Sequence, residues 1–243
     1  MWPESAAPVA LLCSKRFSMN SPWSNQGQLS DQTASTIPLL EVRDLAVSFG
    51  KVPAVKQVSF TLHRGEILAL VGESGSGKSV SALSILRLLP YPHAWHPSGS
   101  IRLRGEELFG AVPSRLREIR GNQIAMVFQE PMTSLNPLHS IEKQIGETLT
   151  LHKGLGGTQR RARILELLNL VGLPNAAHRL NALPHELSGG QRQRVMIAMA
   201  LANEPNILIA DEPTTALDVT IQAEILKLLK DLQGRFGMAI LFI

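Results

Sequence analysis

The chain has 243 residues, of which 44% are hydrophobic and 18% charged, with a formal net charge of +4. This composition indicates a globular protein with a real core, and the mild charge fits either an ordinary basic protein or one with a polyanionic partner. The single cysteine, Cys13, excludes an internal disulfide and a cysteine metal site, and no apolar run approaches the roughly 20 residues that cross a bilayer.

The first part of the chain differs in composition from the rest. Residues 1–37 are rich in Ser, Gln, Pro and Asn and show no sustained periodicity. This predicts a disordered N-terminal extension, within which either Met1 or Met19 is the true start. Order is predicted to begin at residue 38.

Strands and helices are predicted to alternate after this extension. Alternating or continuous apolar runs predict strands at 38–49, 58–63, 66–72, 99–105, 123–128, 206–211 and 238–243. Apolar residues at three- and four-residue intervals predict helices at 78–89, through most of 140–180, at 189–202 and at 220–233. The alternation predicts an α/β fold with a largely parallel sheet.

A glycine-rich loop follows the strand predicted at 66–72. Its sequence "GESGSGKS" fits the pattern G-x-x-x-x-G-K-[ST] and lies between a strand and a helix, as a phosphate loop requires. Small residues let backbone N–H groups point inward, and the helix N-terminus adds partial positive charge. Lys78 is expected to reach the β- and γ-phosphates, and the Ser79 hydroxyl to bind Mg²⁺. The predicted nucleotide-binding residues are Gly72, Glu73, Ser74, Gly75, Ser76, Gly77, Lys78 and Ser79.

Two carboxylates end a later strand. In "ILIADEP", an apolar run at 207–210 is followed by Asp211 and Glu212. Asp211 is expected to hold Mg²⁺ directly or through water, and Glu212 to polarise the attacking water as a general base. Two acids after a strand can also form a solvated turn, but the phosphate loop in the same chain favours a metal site.

The stretch "LSGGQRQR" predicts a second helix N-terminus suited to an anion. Ser188, Gly189 and Gly190 open the helix and Gln191 follows them. Because one nucleotide does not need two such cradles on one chain, we expect a dimer in which Ser188 and its neighbouring amides cap the partner's γ-phosphate. The alternative is a plain N-cap serine with a flexible helix start.

In this order, the three motifs resemble those of the nucleotide-binding domain of ATP-binding cassette proteins, over about residues 38–243. The resemblance implies ATP and Mg²⁺ as cofactors. It also implies a P-loop NTPase fold with a largely parallel core sheet, an antiparallel β subdomain and a helical subdomain at about 130–190. Gln129 stands where the family senses Mg²⁺ and the attacking water, and Phe49 where an aromatic stacks on adenine, although a strand-end Phe can equally belong to the core. Asp218, in "ALD", is implied to face the partner subunit.

The segment "QEPMTSLNP" at 129–137 resembles the oligopeptide, dipeptide and nickel import ATPases, and the longer stretches around the motifs resemble the first half of a fused peptide and microcin C import ATPase. This implies a bacterial importer ATPase at the cytoplasmic face of the inner membrane. Its implied partners are a second cassette, two membrane permeases and, indirectly, a periplasmic substrate-binding protein, with no nucleic acid. Residues 130–180 are expected to receive a coupling helix from the permeases, or else to pack only within the helical subdomain. The transported molecule, whether peptide, microcin or nickel, is not readable from these residues.

The chain ends on "GMAILFI", where the family continues with a Thr and then a switch histidine. We therefore expect a fragment of a longer product, truncated before that histidine, which binds Mg-ATP weakly and hydrolyses it slowly or not at all. Two other classes stay open. One is a cassette ATPase of DNA repair or translation, and the other is a non-cassette P-loop protein or a binding-only pseudo-ATPase.

Overall fold

The computed structural model describes residues 37–130, 134–215 and 217–243. All of the predicted extension except Ile37 lies outside these ranges, together with Cys13 and both candidate start residues, so its disorder stays a prediction. Ala216 and residues 131–133 of the predicted docking segment lie outside them as well.

The elements of these ranges follow the predicted alternation. The strands are β1 (Leu40–Phe49), β2 (Val52–Leu62), β3 (Ile67–Ala69), β4 (Ala94–Trp95), β5 (Ser100–Leu103), β6 (Glu106–Glu107), β7 (Ile124–Val127), β8 (Ile207–Ala210) and β9 (Ala239–Phe242). The helices are α1 (Lys78–Ile85), α2 (Pro113–Ile119), α3 (Ile141–Lys153), α4 (Gly157–Leu170), α5 (Ala176–Arg179), α6 (Gly189–Leu201) and α7 (Val219–Phe236), with a short 3-10 turn at Pro184–Glu186.

One sheet is antiparallel and carries the strand order β2–β1–β5–β6, with β4 also paired to β1. Leu40 pairs with Leu62 of β2 and with Leu103 of β5, and all three side chains are buried. This register turns the apolar face of β1 and its neighbours into one core. The predicted antiparallel β subdomain is therefore present.

The other sheet is parallel, in the order β3–β9–β8–β7. All four residues of β8 are buried, and β9 lies between β3 and β8. A strand covered on both faces has to be apolar throughout, which explains the continuous run "MAILFI". Since the strands are parallel, the loops that follow β3, β7 and β8 emerge at one edge of the sheet.

Helices α3 to α5 pack together beside the parallel sheet. Ile145 and Leu149 of α3 share a buried cluster with Ile164 and Leu167 of α4 and with Val195 of α6. The amphipathic period predicted for 140–180 thus provides a helical layer whose apolar face meets α6. The exact bounds of the helical subdomain, at about 130–190, stay a prediction.

Four predicted boundaries are wrong by three residues or more, and one of them is the end of α7, which lies at Phe236 rather than 233. β2 begins at Val52 rather than 58, because hairpin pairing with β1 extends it, and β3 ends at Ala69 because the phosphate loop leaves the sheet there. α1 ends at Ile85 rather than 89. Arg87 adopts φ 55, and the Leu88 N–H donates to the Leu83 oxygen at 2.9 Å, which is the hydrogen-bonding pattern that closes a helix.

No helix in the described ranges is long and apolar enough to span a bilayer.

Candidate functional site

The phosphate loop runs from the end of β3 to the start of α1, and two of its glycines adopt left-handed backbone. Gly75 has φ 78 and Gly77 has φ 87. A Cβ atom on Gly77 would lie 2.6 Å from the Ala54 carbonyl oxygen and 2.8 Å from Val55 Cγ2. Position 77 therefore requires glycine both for its φ and for the close approach of β2.

Lys78 is held across this loop. Its ammonium nitrogen donates to the Gly72 oxygen at 2.9 Å and to the Glu73 oxygen at 2.7 Å, and lies 3.4 Å from Ser76 Oγ. The positive charge thus lies over the concave side of the loop that the sequence predicts to bind phosphates. The first residue of α1 supplies this charge, and the helix N-terminus adds to it.

Ser79 and Asp211, two of the three residues predicted to bind Mg²⁺, are in direct contact, whereas the third, Gln129, is hydrogen-bonded to Glu212. Ser79 Oγ donates to Asp211 Oδ1 at 2.9 Å, and Asp211 is only 5% exposed. Burial raises the pKa of the Asp211 carboxyl above its ordinary value. The Ser79 hydrogen bond opposes this shift, the neighbouring Glu212 charge adds to it, and Lys78 opposes it.

This pair fits Mg²⁺, which prefers hard oxygen ligands. A cation beside Asp211 would offset the cost of burying its charge. Within the described ranges no group of three or more His, Cys, Asp or Glu side chains could hold a metal by itself. A cation at Ser79 and Asp211 would therefore take its other ligands from nucleotide phosphates and water, as Mg²⁺ commonly does.

The two residues predicted as catalytic also meet. Gln129, after β7, donates through Nε2 to Glu212 Oε2 at 2.7 Å. Glu212 adopts φ 44, and its N–H donates to the Ile243 oxygen at 3.1 Å. Thr215 Oγ1 donates to the same Glu212 oxygen at 3.0 Å. The sequence analysis missed Thr215, because one hydroxyl in a loop carries no pattern.

Ser188 is the N-cap of α6. Its Oγ accepts from the Gln191 N–H at 3.3 Å, and the Gln191 side chain accepts from the Ser188 N–H at 3.0 Å, so the two residues form a capping box. The N-cap alternative therefore describes the geometry within one chain. Both of these hydrogen bonds are local, and among the described residues Ser188 is not hydrogen-bonded to the phosphate loop of its own chain.

The glycines after Ser188 have a packing reason that the sequence analysis missed. A Cβ on Gly190 would lie 2.9 Å from Ile221 Cγ2, and one on Gly189 would lie 3.4 Å from Leu217 Cδ2. The start of α6 therefore packs against the start of α7 and against Leu217 in the loop before it. A β-carbon at 190 would push these two helices apart.

Asp218 is the N-cap of α7, but its side chain makes no capping hydrogen bond. The loop before it is held by Gln222, whose Nε2 donates to the Thr214 oxygen at 3.1 Å and to the Leu217 oxygen at 2.8 Å. The sequence did not single out Gln222, since one amide in an amphipathic helix looks like a surface residue. The predicted role of Asp218 opposite a partner subunit stays a prediction.

Phe49 is half-buried at the end of β1. It packs against the core cluster of the antiparallel sheet, and its ring lies 5.9 Å from that of His93. It pairs with Val52, close to the part of β2 that contacts Gly77. This position suits both an adenine-stacking ring and a core residue, so its role stays a prediction.

Comparison with known proteins gives consistent results. The family profile described as "ABC transporter" matches residues 55–215. The chain is 62% identical over 213 residues to "Peptidoglycan transport ATP-binding protein YejF" of Agrobacterium fabrum, covering 86% of this chain and 39% of that protein. It is 52% identical over 209 residues to "Oligopeptide transport ATP-binding protein OppD" of Bacillus subtilis, covering 84% and 58%. The chain thus spans less than two thirds of the length of these relatives.

Solved structures agree with this result. A dimeric, post-hydrolysis structure of the ATP-binding cassette MJ0796, bound to ADP and Pi, is 32% identical with a TM-score of 0.72, covering 84% of this chain and 86% of that one. The cbiO1 protein of Clostridium perfringens, part of the complex cbiONQ, is 30% identical with a TM-score of 0.71, covering 85% and 78%. The predicted fold class is confirmed.

Proposed function

The chain belongs to the ABC transporter family, and we propose that it is the ATP-binding and ATP-hydrolysing subunit of a bacterial importer for peptides. Membership removes the non-cassette alternative, and the relatives do not support the nucleic-acid alternative. The observation that carries the proposal is that four predicted site residues form two hydrogen-bonded pairs at one sheet edge. Ser79 contacts Asp211, and Gln129 contacts Glu212.

In this proposal the loop from Gly72 to Ser79 binds the triphosphate. Its backbone N–H groups and the Lys78 ammonium group neutralise phosphate charge. Ser79 and Asp211 would hold Mg²⁺, which supplies Lewis-acid polarisation of the phosphate oxygens when bound. Phe49 is proposed to support the adenine from the end of β1.

Hydrolysis needs a base beside the terminal phosphate, and Glu212 is proposed for this role. Its carboxylate accepts the proton of a water molecule as the water oxygen bonds to the terminal phosphorus. The bond from that phosphorus to the bridging oxygen breaks, and ADP keeps the electron pair. Gln129 holds the Glu212 carboxylate at 2.7 Å and so orients the base.

The second anion cradle is proposed to act across a dimer. Ser188, Gly189, Gly190 and Gln191 start α6. The capping box occupies the N–H groups of Ser188 and Gln191, so the N–H groups of Gly189 and Gly190 would receive the anion. Because Ser188 bonds within its own helix start, this cradle is proposed to reach the nucleotide of a partner cassette, with Asp218 at the same interface. The dimeric form of the MJ0796 cassette supports the pairing of two cassettes.

Coupling to transport is proposed to use the surface beside Gln129. An apolar depression of about 180 Å³ lies between the end of β7 and helices α3 and α6, and Phe128 within it is 39% exposed. Its other lining residues include Leu135, Thr148 and Met199. A short coupling helix from one of the two permeases is proposed to dock at this depression. The subunit would then lie on the cytoplasmic face of the inner membrane, with a periplasmic binding protein delivering the cargo.

The proposed cargo is a peptide or a peptide-containing compound. The relatives named above are called peptidoglycan and oligopeptide transport proteins, which favours peptides over nickel. ATP binding that closes two cassettes, and hydrolysis that reopens them, would supply the differential affinity that moves the permeases between two states.

The direct test is peptide uptake by the source bacterium carrying Glu212→Gln or Lys78→Ala in this protein. Loss of uptake of a labelled oligopeptide, with nickel uptake unchanged, would support the proposal. Unchanged peptide uptake in both variants would contradict it.

A further inference from the structure

The two carboxylate oxygens of Glu212 differ in the hydrogen bonds that they accept. Oε2 accepts from Gln129 Nε2 at 2.7 Å and from Thr215 Oγ1 at 3.0 Å. Among the described residues, no donor is hydrogen-bonded to Oε1. One donor, Gln129, precedes Glu212 in the sequence and follows β7. The other, Thr215, lies in the loop after Glu212.

We propose that Thr215 is a positioning residue, which together with Gln129 engages Glu212 Oε2 and leaves Oε1 as the oxygen that takes the proton from water. This inference rests on the proposed hydrolytic role of Glu212. An oxygen that already accepts two hydrogen bonds is a poorer proton acceptor than its free neighbour. Two donors from different elements also fix the carboxylate plane, which one donor leaves free to rotate.

Gln222 extends this arrangement by one step. Its side-chain amide donates to the main-chain oxygens of Thr214 and Leu217, on either side of Thr215. Gln222 belongs to the first turn of α7, so the helix holds the loop that carries the Thr215 hydroxyl. The Thr215 N–H also donates to the main-chain carbonyl oxygen of Glu212 at 3.3 Å. Gln222 therefore acts on Glu212 through Thr215.

A pair of neighbouring threonines gives a matched experiment. Thr215→Val removes the hydroxyl at constant shape, and Thr215→Ser restores it. Thr214→Val makes the same change at the neighbouring position, where the hydroxyl has no hydrogen-bond partner among the described residues. In radiolabelled ATPase assays sensitive enough to follow the slow turnover expected of this chain, we expect Thr215→Val to lower kcat about tenfold at nearly unchanged KM, because a misplaced base costs rate rather than binding. Thr215→Ser and Thr214→Val should stay within about twofold of the parent.

Gln222→Met tests the second step at similar side-chain size. It should lower kcat in the same sense as Thr215→Val, and the double variant should lose less than the product of the two single losses, since both act through one contact. Losses that multiply would overturn the role of Gln222. Equal losses in Thr215→Val and Thr214→Val would overturn the role of Thr215.

Thermal unfolding tests the contact without using hydrolysis. In a cycle of Thr215→Val and Glu212→Ala, the midpoint shift of the double variant should be smaller than the sum of the single shifts. Additive shifts would overturn the proposal. If the cycle shows coupling while the parent chain has no ATPase activity, the proposed hydrolysis fails for this chain and the positioning contact stands.

Discussion

At the scale of single residues, the cost of burying a charge governs Asp211. Its pKa is raised chiefly by burial, so between the ordinary Asp value and the raised value the folded chain binds more protons than the unfolded chain. Stability contributed by this group is therefore lost as pH rises through that window. Above that pH window, the buried and charged carboxylate lowers the stability of the folded chain, and a bound cation would offset this loss.

We therefore predict that Asp211→Asn raises the unfolding temperature at neutral pH without magnesium, by a few degrees, on the scale of about 2–4 °C per kcal/mol for a chain of this size. The variant should also lose the stabilisation that Mg²⁺ with a nucleotide gives the parent. Asp218→Asn is the matched control, because its carboxylate makes no capping hydrogen bond. A lower midpoint for Asp211→Asn would contradict this view of the site.

The phosphate loop offers a second comparison between single residues. Gly75 and Gly77 both have positive φ, yet a Cβ on Gly75 meets no atom within 4 Å whereas one on Gly77 meets β2 at 2.6 Å. Gly75→Ala should lower the free energy of unfolding by about 1 kcal/mol, the cost of the left-handed backbone alone. Gly77→Ala should cost clearly more, about 3 kcal/mol, because β2 backbone has to move. Urea denaturation measures both, and equal losses would show that the contact with β2 is unimportant.

At the scale of elements, the start of α6 packs against the start of α7. Gly190→Ala should lower the free energy of unfolding by about 1–2 kcal/mol, because Ile221 Cγ2 is fixed close to the backbone and cannot swing away. Ile221→Leu removes the branch at Cβ while keeping the volume, so it should restore most of this loss. Gly189→Ala is the control, since its 3.4 Å contact is with the end of a flexible leucine. If Ile221→Leu does not restore the stability lost in Gly190→Ala, the contact with Ile221 does not explain the glycine at position 190.

The elements and the site residues differ in how far the sequence predicted them. Periodicity predicted the longer elements but missed the short β4, β6 and α2. The motifs and the family resemblance predicted that Ser79 and Asp211 would both bind Mg²⁺, and that Gln129 and Glu212 would both act on the attacking water. Thr215 and Gln222 were missed because their local hydrogen bonds belong to no sequence pattern. Ile221 was missed because its contact with Gly190 joins two helices that meet only in three dimensions. Strand and helix ends were also misplaced where hairpin pairing or a left-handed residue such as Arg87 decides them.

At the scale of the whole molecule, two sheets and a helical layer place the predicted site residues in two groups. Lys78, Asp211 and Glu212 share one sheet edge, whereas Ser188 caps α6 and bonds locally. The sequence predicted two anion cradles, and the structure keeps their hydrogen bonds separate within the chain. That separation is the basis for proposing a dimer in which each chain completes the other's nucleotide site.

Disulfide trapping tests this central claim most directly. In a Cys13→Ser background, chains carrying Ser74→Cys in the phosphate loop are mixed with chains carrying Ser188→Cys. The account predicts a mixed disulfide between the two chains that forms with Mg²⁺ and the non-hydrolysable analogue AMP-PNP, and not without nucleotide. A nucleotide-bound dimer that gives no such disulfide would contradict it.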